Sequence, residues 1–148
     1  MTESIPSAWL QRACPSASLS PVTPAVAEAL GQVQRSFGPR VSTWPDGQGG
    51  ICVVIPDIEL GDGWTTLLTW IAFSIHYLHP ESDCYPHYVR PDLIRADGQP
   101  LAPPFHRDQT FMDEAAVMVS RASRRRNPAI DTPARKTQSV IDYIRSQR

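Results

Sequence analysis

All four histidines of the chain, His76, His79, His87 and His106, fall within residues 76–106, together with Cys84, one of three cysteines. These side chains can bind a metal, hold a reactive thiolate or move a proton near neutral pH. The run His76-x-x-His79-x-x-x-x-Cys84-x-x-His87 carries the ligand types that zinc takes. Its spacing argues against a metal. Were His76 and His79 on one strand, their odd separation would send them to opposite faces, and the paired spacings of structural zinc sites are absent. No metal is therefore expected, and histidines held by ordinary hydrogen bonds are the plainer reading.

Cys84 is the thiol to consider for nucleophilic chemistry. It stands in a polar, turn-like stretch with His79 and His87 near in sequence, where an imidazolium can stabilise a thiolate. The alternative is a half-buried residue that fills a turn. Cys52, inside an apolar run, reads as a small buried hydrophobe, and Cys14 as incidental. Without an export signal the three thiols are expected to be reduced. Asp92 and Asp97 have no partner in the sequence that would make either a catalytic base.

Charge is unevenly distributed. Residues 121–148 hold eight basic side chains against Asp131 and Asp142, a local +6, so the remainder carries −7 to reach the overall −1. Within it, Ser120-Arg121-Ala122-Ser123-Arg124-Arg125-Arg126 suits phosphate contact. Aromatics that would stack bases are missing nearby, so a solvated or partner-facing surface is favoured over nucleic-acid binding. Lys136 is the only lysine among the fourteen basic residues. No Gly-rich phosphate loop, Gly-x-Ser-x-Gly elbow or internal repeat is present, and no cofactor is expected. The longest apolar run, residues 67–73, falls far short of the ~20 that a membrane helix needs. No signal peptide is visible, so a cytoplasmic location is expected.

The elements that must position these groups follow from periodicity and turn chemistry. A chain of 148 residues suits one domain. Residues 1–22 read as a flexible N-terminal tail, interrupted by Pro6, Pro15 and Pro21, in which Trp9 and Leu10 have no evident docking place. Thr23-Pro24 opens a helix, with Val26, Leu30, Val33 and Phe37 on one face and Gly38-Pro39 as its stop. Strands are expected at 41–44, at 51–55 ending on Pro56, at 64–77 as the central strand, and at 88–94. Pro91 assigns the last of these to an edge or bulge. Residues 99–106 read as an irregular proline-rich loop, 115–119 as an apolar piece of undetermined type, and Thr132-Pro133 as the start of a C-terminal helix.

This α+β order, helix, four-stranded antiparallel meander, proline-rich flap and C-terminal helix, resembles the ubiquitin-conjugating enzyme superfamily in its divergent bacterial branch. Four stretches carry the resemblance. Phe73-Ser74-Ile75-His76-Tyr77 is similar to the strand before the family's Tyr-Pro turn. Tyr85-Pro86-His87-Tyr88-Val89-Arg90-Pro91-Asp92-Leu93 and Ala96-Asp97-Gly98-Gln99-Pro100-Leu101 follow it. Val119-Ser120-Arg121-Ala122-Ser123-Arg124-Arg125 resembles the arginine-serine segment before the last helix. The likeness covers residues 23–148.

The resemblance implies a ubiquitin-like protein and its activating enzyme as partners, a JAB-type peptidase in the same system, and a conjugation or antiphage-defence pathway. It implies a cysteine thioester as the working intermediate, with Cys84 the available nucleophile and His106 a donor to the oxyanion. The chain also departs from the family. Pro104-Phe105-His106 stands nearest to the family's His-Pro-Asn, without an asparagine, and residues 113–118, where the family's thiol is due, contain none. Either the nucleophile is Cys84, or a thiol has been replaced at Ala115 or Ala116, or the domain only binds its partners.

Overall fold

Thr23 caps the first long helix as its sequence dictates. In the computed structural model, which describes residues 5–11 and 22–147, the Thr23 hydroxyl accepts from the Val26 N–H at 3.1 Å. Pro24 takes the first helical position of α2, Pro24–Phe37, which buries Val26, Ala29 and Val33 and ends at Gly38 with φ of 94°. A short helix, α1, Ser7–Gln11, precedes it. The C-terminal helix α3, Pro133–Arg145, repeats the Thr-Pro start at Thr132 and buries Ala134, Thr137, Val140, Ile141 and Ile144. Among the described residues no helix is long and apolar enough to cross a membrane.

Six antiparallel strands form one sheet: β1, Ser42–Pro45; β2, Ile51–Glu59; β3, Leu68–Ile75; β4, His87–Val89; β5, Phe105–Phe111; and β6, Glu114–Val119. Their order across the sheet is β1-β2-β3-β4-β6-β5. The α+β class stands, whereas the four-stranded meander is extended by a hairpin that inserts β6 beside β4. Four local expectations change with it. The strand expected to end at Pro56 runs on to Glu59 through a register shift between Ile55 and Ile58, where Asp57 has φ of 58°. The central strand is shorter than 64–77, because Trp64 makes only an isolated bridge to Arg95 and residues 76–86 form a loop. The fourth strand is three residues long and lies between β3 and β6, not at an edge, with Pro91 already outside it. Residues 105 and 106, read as the end of a loop, and 115–119, of undetermined type, belong to the hairpin of β5 and β6, closed by Met112 and Asp113 at φ of 46° and 66°. Two consecutive residues at positive φ make the kind of turn that matches strand twist.

The sheet has two covered faces. On one, Val53, Ile55, Ile71, Phe73, Val89, Val117 and Val119 pack beneath α2 and α3 in a single apolar core. Trp64 Nε1 donates to the Ile144 carbonyl at 2.9 Å, tying the last turn of α3 to the end of the sheet. On the other face, Val54, Trp70, Ala72 and Ala116 meet Trp44, Phe111 and Trp9. Trp9 is 0% exposed. Its ring meets Trp70 edge-on at 4.8 Å and Phe111 at 5.9 Å, and its Nε1 donates to the Met112 carbonyl. Residues 5–11 are thus a docked plug, not part of a loose tail; the rest of that expected tail, up to residue 21, lies outside the described residues.

Candidate functional site

The register of the sheet decides how the expected site residues relate. His87 pairs with Val119, which pairs with Phe105, and one residue along, Tyr88 pairs with Met118, which pairs with His106. Successive residues of a strand face opposite sides. Val119 and Phe105 lie in the helix-covered core, and Tyr88 packs with the Trp9 cluster. His106 therefore belongs to the Trp9 face, and His87 to the helix face.

Cys84 is on the helix face too. It is 6% exposed, inside the core under the helices, with Sγ 3.9 Å from the Ser74 carbonyl oxygen and 3.9 Å from His87 Nε2. His87 Nε2 lies 2.8 Å from Thr137 Oγ1 on α3, and its ring packs against Phe73. Cysteine, histidine and threonine thus adjoin, in the order a nucleophile and its base would take, but burial reverses the chemistry. Desolvation, and after it the Asp83 carboxylate, pushes the Cys84 thiol up to about 12. Desolvation, and after it the Lys136 ammonium, takes His87 down to about 3. Both are neutral near pH 7, so the thiolate–imidazolium pair of a reactive cysteine does not form. The cluster is a neutral hydrogen-bonded link between β4 and α3. The pairing of Cys84 with His106 expected for thioester transfer is not brought together.

The other histidines are separate. His76 and His79 lie in the loop after β3, where His76 Nδ1 accepts from the Leu78 N–H at 3.1 Å. His79 is depressed by burial and then by Arg126. Among the described residues no three His, Cys, Asp or Glu side chains converge as a metal would require. Cys52 is half-buried on the Trp9 face, its Sγ 3.7 Å from Ser74 Oγ. Ala115 and Ala116 stand in β6, paired with Thr110 and Gln109. Cys14 lies outside the described residues.

A second centre surrounds Asp83. Its carboxylate accepts from Ser123 N at 2.8 Å, Ser123 Oγ at 3.0 Å and Lys136 Nζ at 3.1 Å, with Arg126 Nε at 3.7 Å. Burial alone would raise the Asp83 carboxyl, but the Ser123 N–H and the Lys136 ammonium outweigh it and hold it below the usual range. Arg126 also donates to the carbonyls of Pro80 and Glu81. These bonds pin residues 120–131, which join β6 to α3, against the loop that holds Cys84. Beside that strap runs a cleft of about 880 Å³ lined by Arg121, Arg124, Arg135 and Lys136, with Ser120 and Ser139. Sequence reasoning found the arginines but missed Asp83 as their anchor, since Asp83 and Lys136 are 53 residues apart.

No family model matches the chain, no curated protein matches it significantly, and no solved structure matches it significantly.

The arrangement offers two things chemically. Its only buried Cys–His pair among the described residues is neutral and closed to solvent. Its open cleft gathers cations from two elements, Arg121 and Arg124 on the strap and Arg135 and Lys136 on α3. Binding is what such a surface can do.

Proposed function

We propose that the chain is a ubiquitin-conjugating-enzyme-like domain that docks a ubiquitin-like protein or its activating enzyme without forming a thioester. The order of helix, antiparallel strands, Tyr85-Pro86 turn, proline-rich segment and C-terminal helix supports the likeness. The buried Cys84 carries the choice of binding over transfer. Thioester relay needs a thiolate that attacks an activated carboxyl carbon and later leaves as a thiolate. A thiol raised to about 12 and enclosed by Ser74, His87 and α3 meets neither need.

The test is incubation with a cognate activating enzyme, ATP and ubiquitin-like protein, followed by size-exclusion chromatography and intact mass measurement. Co-elution with an unmodified mass is expected. A thiol-labile adduct abolished by Cys84→Ala would restore the transferase reading, and loss of co-elution with both partners would end the docking reading.

A further inference from the structure

We infer that the cleft between residues 120–131 and the first turns of α3 binds an acidic peptide segment of a protein partner. The inference deepens the docking reading, on which it rests for the partner's being a protein.

Four cations line the cleft, and they are not equivalent. Lys136 is committed to Asp83 and Ser123, at 3.1 Å and 2.6 Å, and Arg121 lies over the Tyr143 ring at 3.8 Å. Arg124 and Arg135 are exposed, and neither pairs with a carboxylate among the described residues. On α3, Arg135 and Ser139 are one helical turn apart, as are Lys136 and Val140, so a single helix face supplies half of the wall. The opposite wall is the strap, held in place by the Asp83 bonds before any ligand arrives. Asp131 is the one carboxylate lining the cleft, and it accepts from the Asn127 N–H.

Three features select the ligand. The cleft is open and offers exposed guanidinium forks from both walls, Arg124 on the strap and Arg135 on α3, which suit carboxylates spaced along a chain. Pro133 at the first position of α3 removes an N–H that a phosphate at this helix start would use, and Thr132 Oγ1 already accepts from Arg135 N. The Tyr143 ring is covered by Arg121, and Tyr85, 44% exposed, is tied through its hydroxyl to Ser120 at 2.8 Å, so the described residues beside the cleft offer no row of rings on which successive bases would stack. An acidic peptide fits these better than a nucleic acid does.

The experiment is fluorescence anisotropy of a short labelled Glu-rich peptide with the full chain at low salt. A Gln counterpart, a single-stranded oligonucleotide and inorganic polyphosphate serve as competitors. Saturable binding of the Glu peptide alone is expected, weakened on the order of tenfold by the double variant Arg124→Glu/Arg135→Glu and by salt near ~0.5 M. Thermal unfolding of the variants confirms the fold, and the milder Arg124→Gln and Arg135→Gln should act in the same direction. No binding of the Glu peptide, or binding untouched by these substitutions, would overturn the inference. So would an oligonucleotide or polyphosphate that displaces the peptide at equal or lower concentration. Peptide binding and co-elution with a ubiquitin-like protein are read separately, so the loss of one identifies which reading has failed.

Discussion

The Cys84 thiol and the His106 imidazole lie on opposite faces of one sheet. Cys84 is in the core beneath the helices, whereas His106 pairs with Met118 in the row that turns towards the Trp9 cluster. No side-chain rotation brings groups together through a β-sheet, so these two cannot share a reacting atom in this fold.

Thiol accessibility follows from that placement. In the native protein at neutral pH, Cys84 should resist alkylation, while half-buried Cys52 reacts faster. In denaturant both should react readily. Iodoacetamide labelling with peptide mapping reads the order directly, and rapid native labelling of Cys84 would mean that the core opens.

Acid stability should carry the signature of His87. Its folded pKa is about 3, against 6.5 for an unperturbed histidine. Between these values the unfolded chain holds the extra proton. Stability therefore falls as pH drops from about 6.5, by up to ~1.4 kcal/mol per pH unit. His87→Phe should flatten this limb while costing about 1 kcal/mol at neutral pH through the lost Thr137 hydrogen bond. Denaturant unfolding across this pH range is the check, and an unchanged acid limb would count against a buried neutral His87.

Asp83 acts lower on the pH scale. Its folded pKa is below 3.8, so its contribution is full above that value and is lost as pH falls through the depressed one. Asp83→Asn leaves Lys136 without its carboxylate and should destabilise by about 1–2 kcal/mol at pH 7, allowing for solvent screening. The strap should also loosen. Tryptic cleavage at the exposed Arg124 and Arg125 should accelerate in this variant, and an unchanged digestion rate would show that the strap is held by other contacts.

Trp9 tests the second face of the sheet. Trp9→Ala removes a fully buried ring from contact with Trp44, Trp70 and Phe111. A loss of about 3 kcal/mol is expected, together with a red shift as Trp44 and Trp70 meet water. Urea unfolding followed by tryptophan fluorescence measures both, and an unaltered midpoint would mean that α1 contributes nothing to the fold.

What could be read from the residues is what local chemistry dictates. Thr23-Pro24 and Thr132-Pro133 mark both long helices because cap and first-turn preferences act within four residues. The β-branched run of β2 marks a buried strand for a similar reason. The strand β5, Phe-His-Arg-Asp-Gln-Thr-Phe, escapes notice because it is an edge strand with a register shift between His106 and Gln109, which breaks its alternation. Trp9 is opaque in the sequence because its partners arrive from β1, β3 and β5. The same non-locality hides Cys84 and His87. Cysteine and histidine three residues apart suggest reactivity, and only the burial imposed by Phe73 and α3 reveals their neutrality.

The most direct test of the docking reading is intact mass measurement of the chain after incubation with activating enzyme, ATP and ubiquitin-like protein. The result expected is a co-eluting partner and an unmodified chain mass. A thioester adduct that disappears on Cys84→Ala would contradict it.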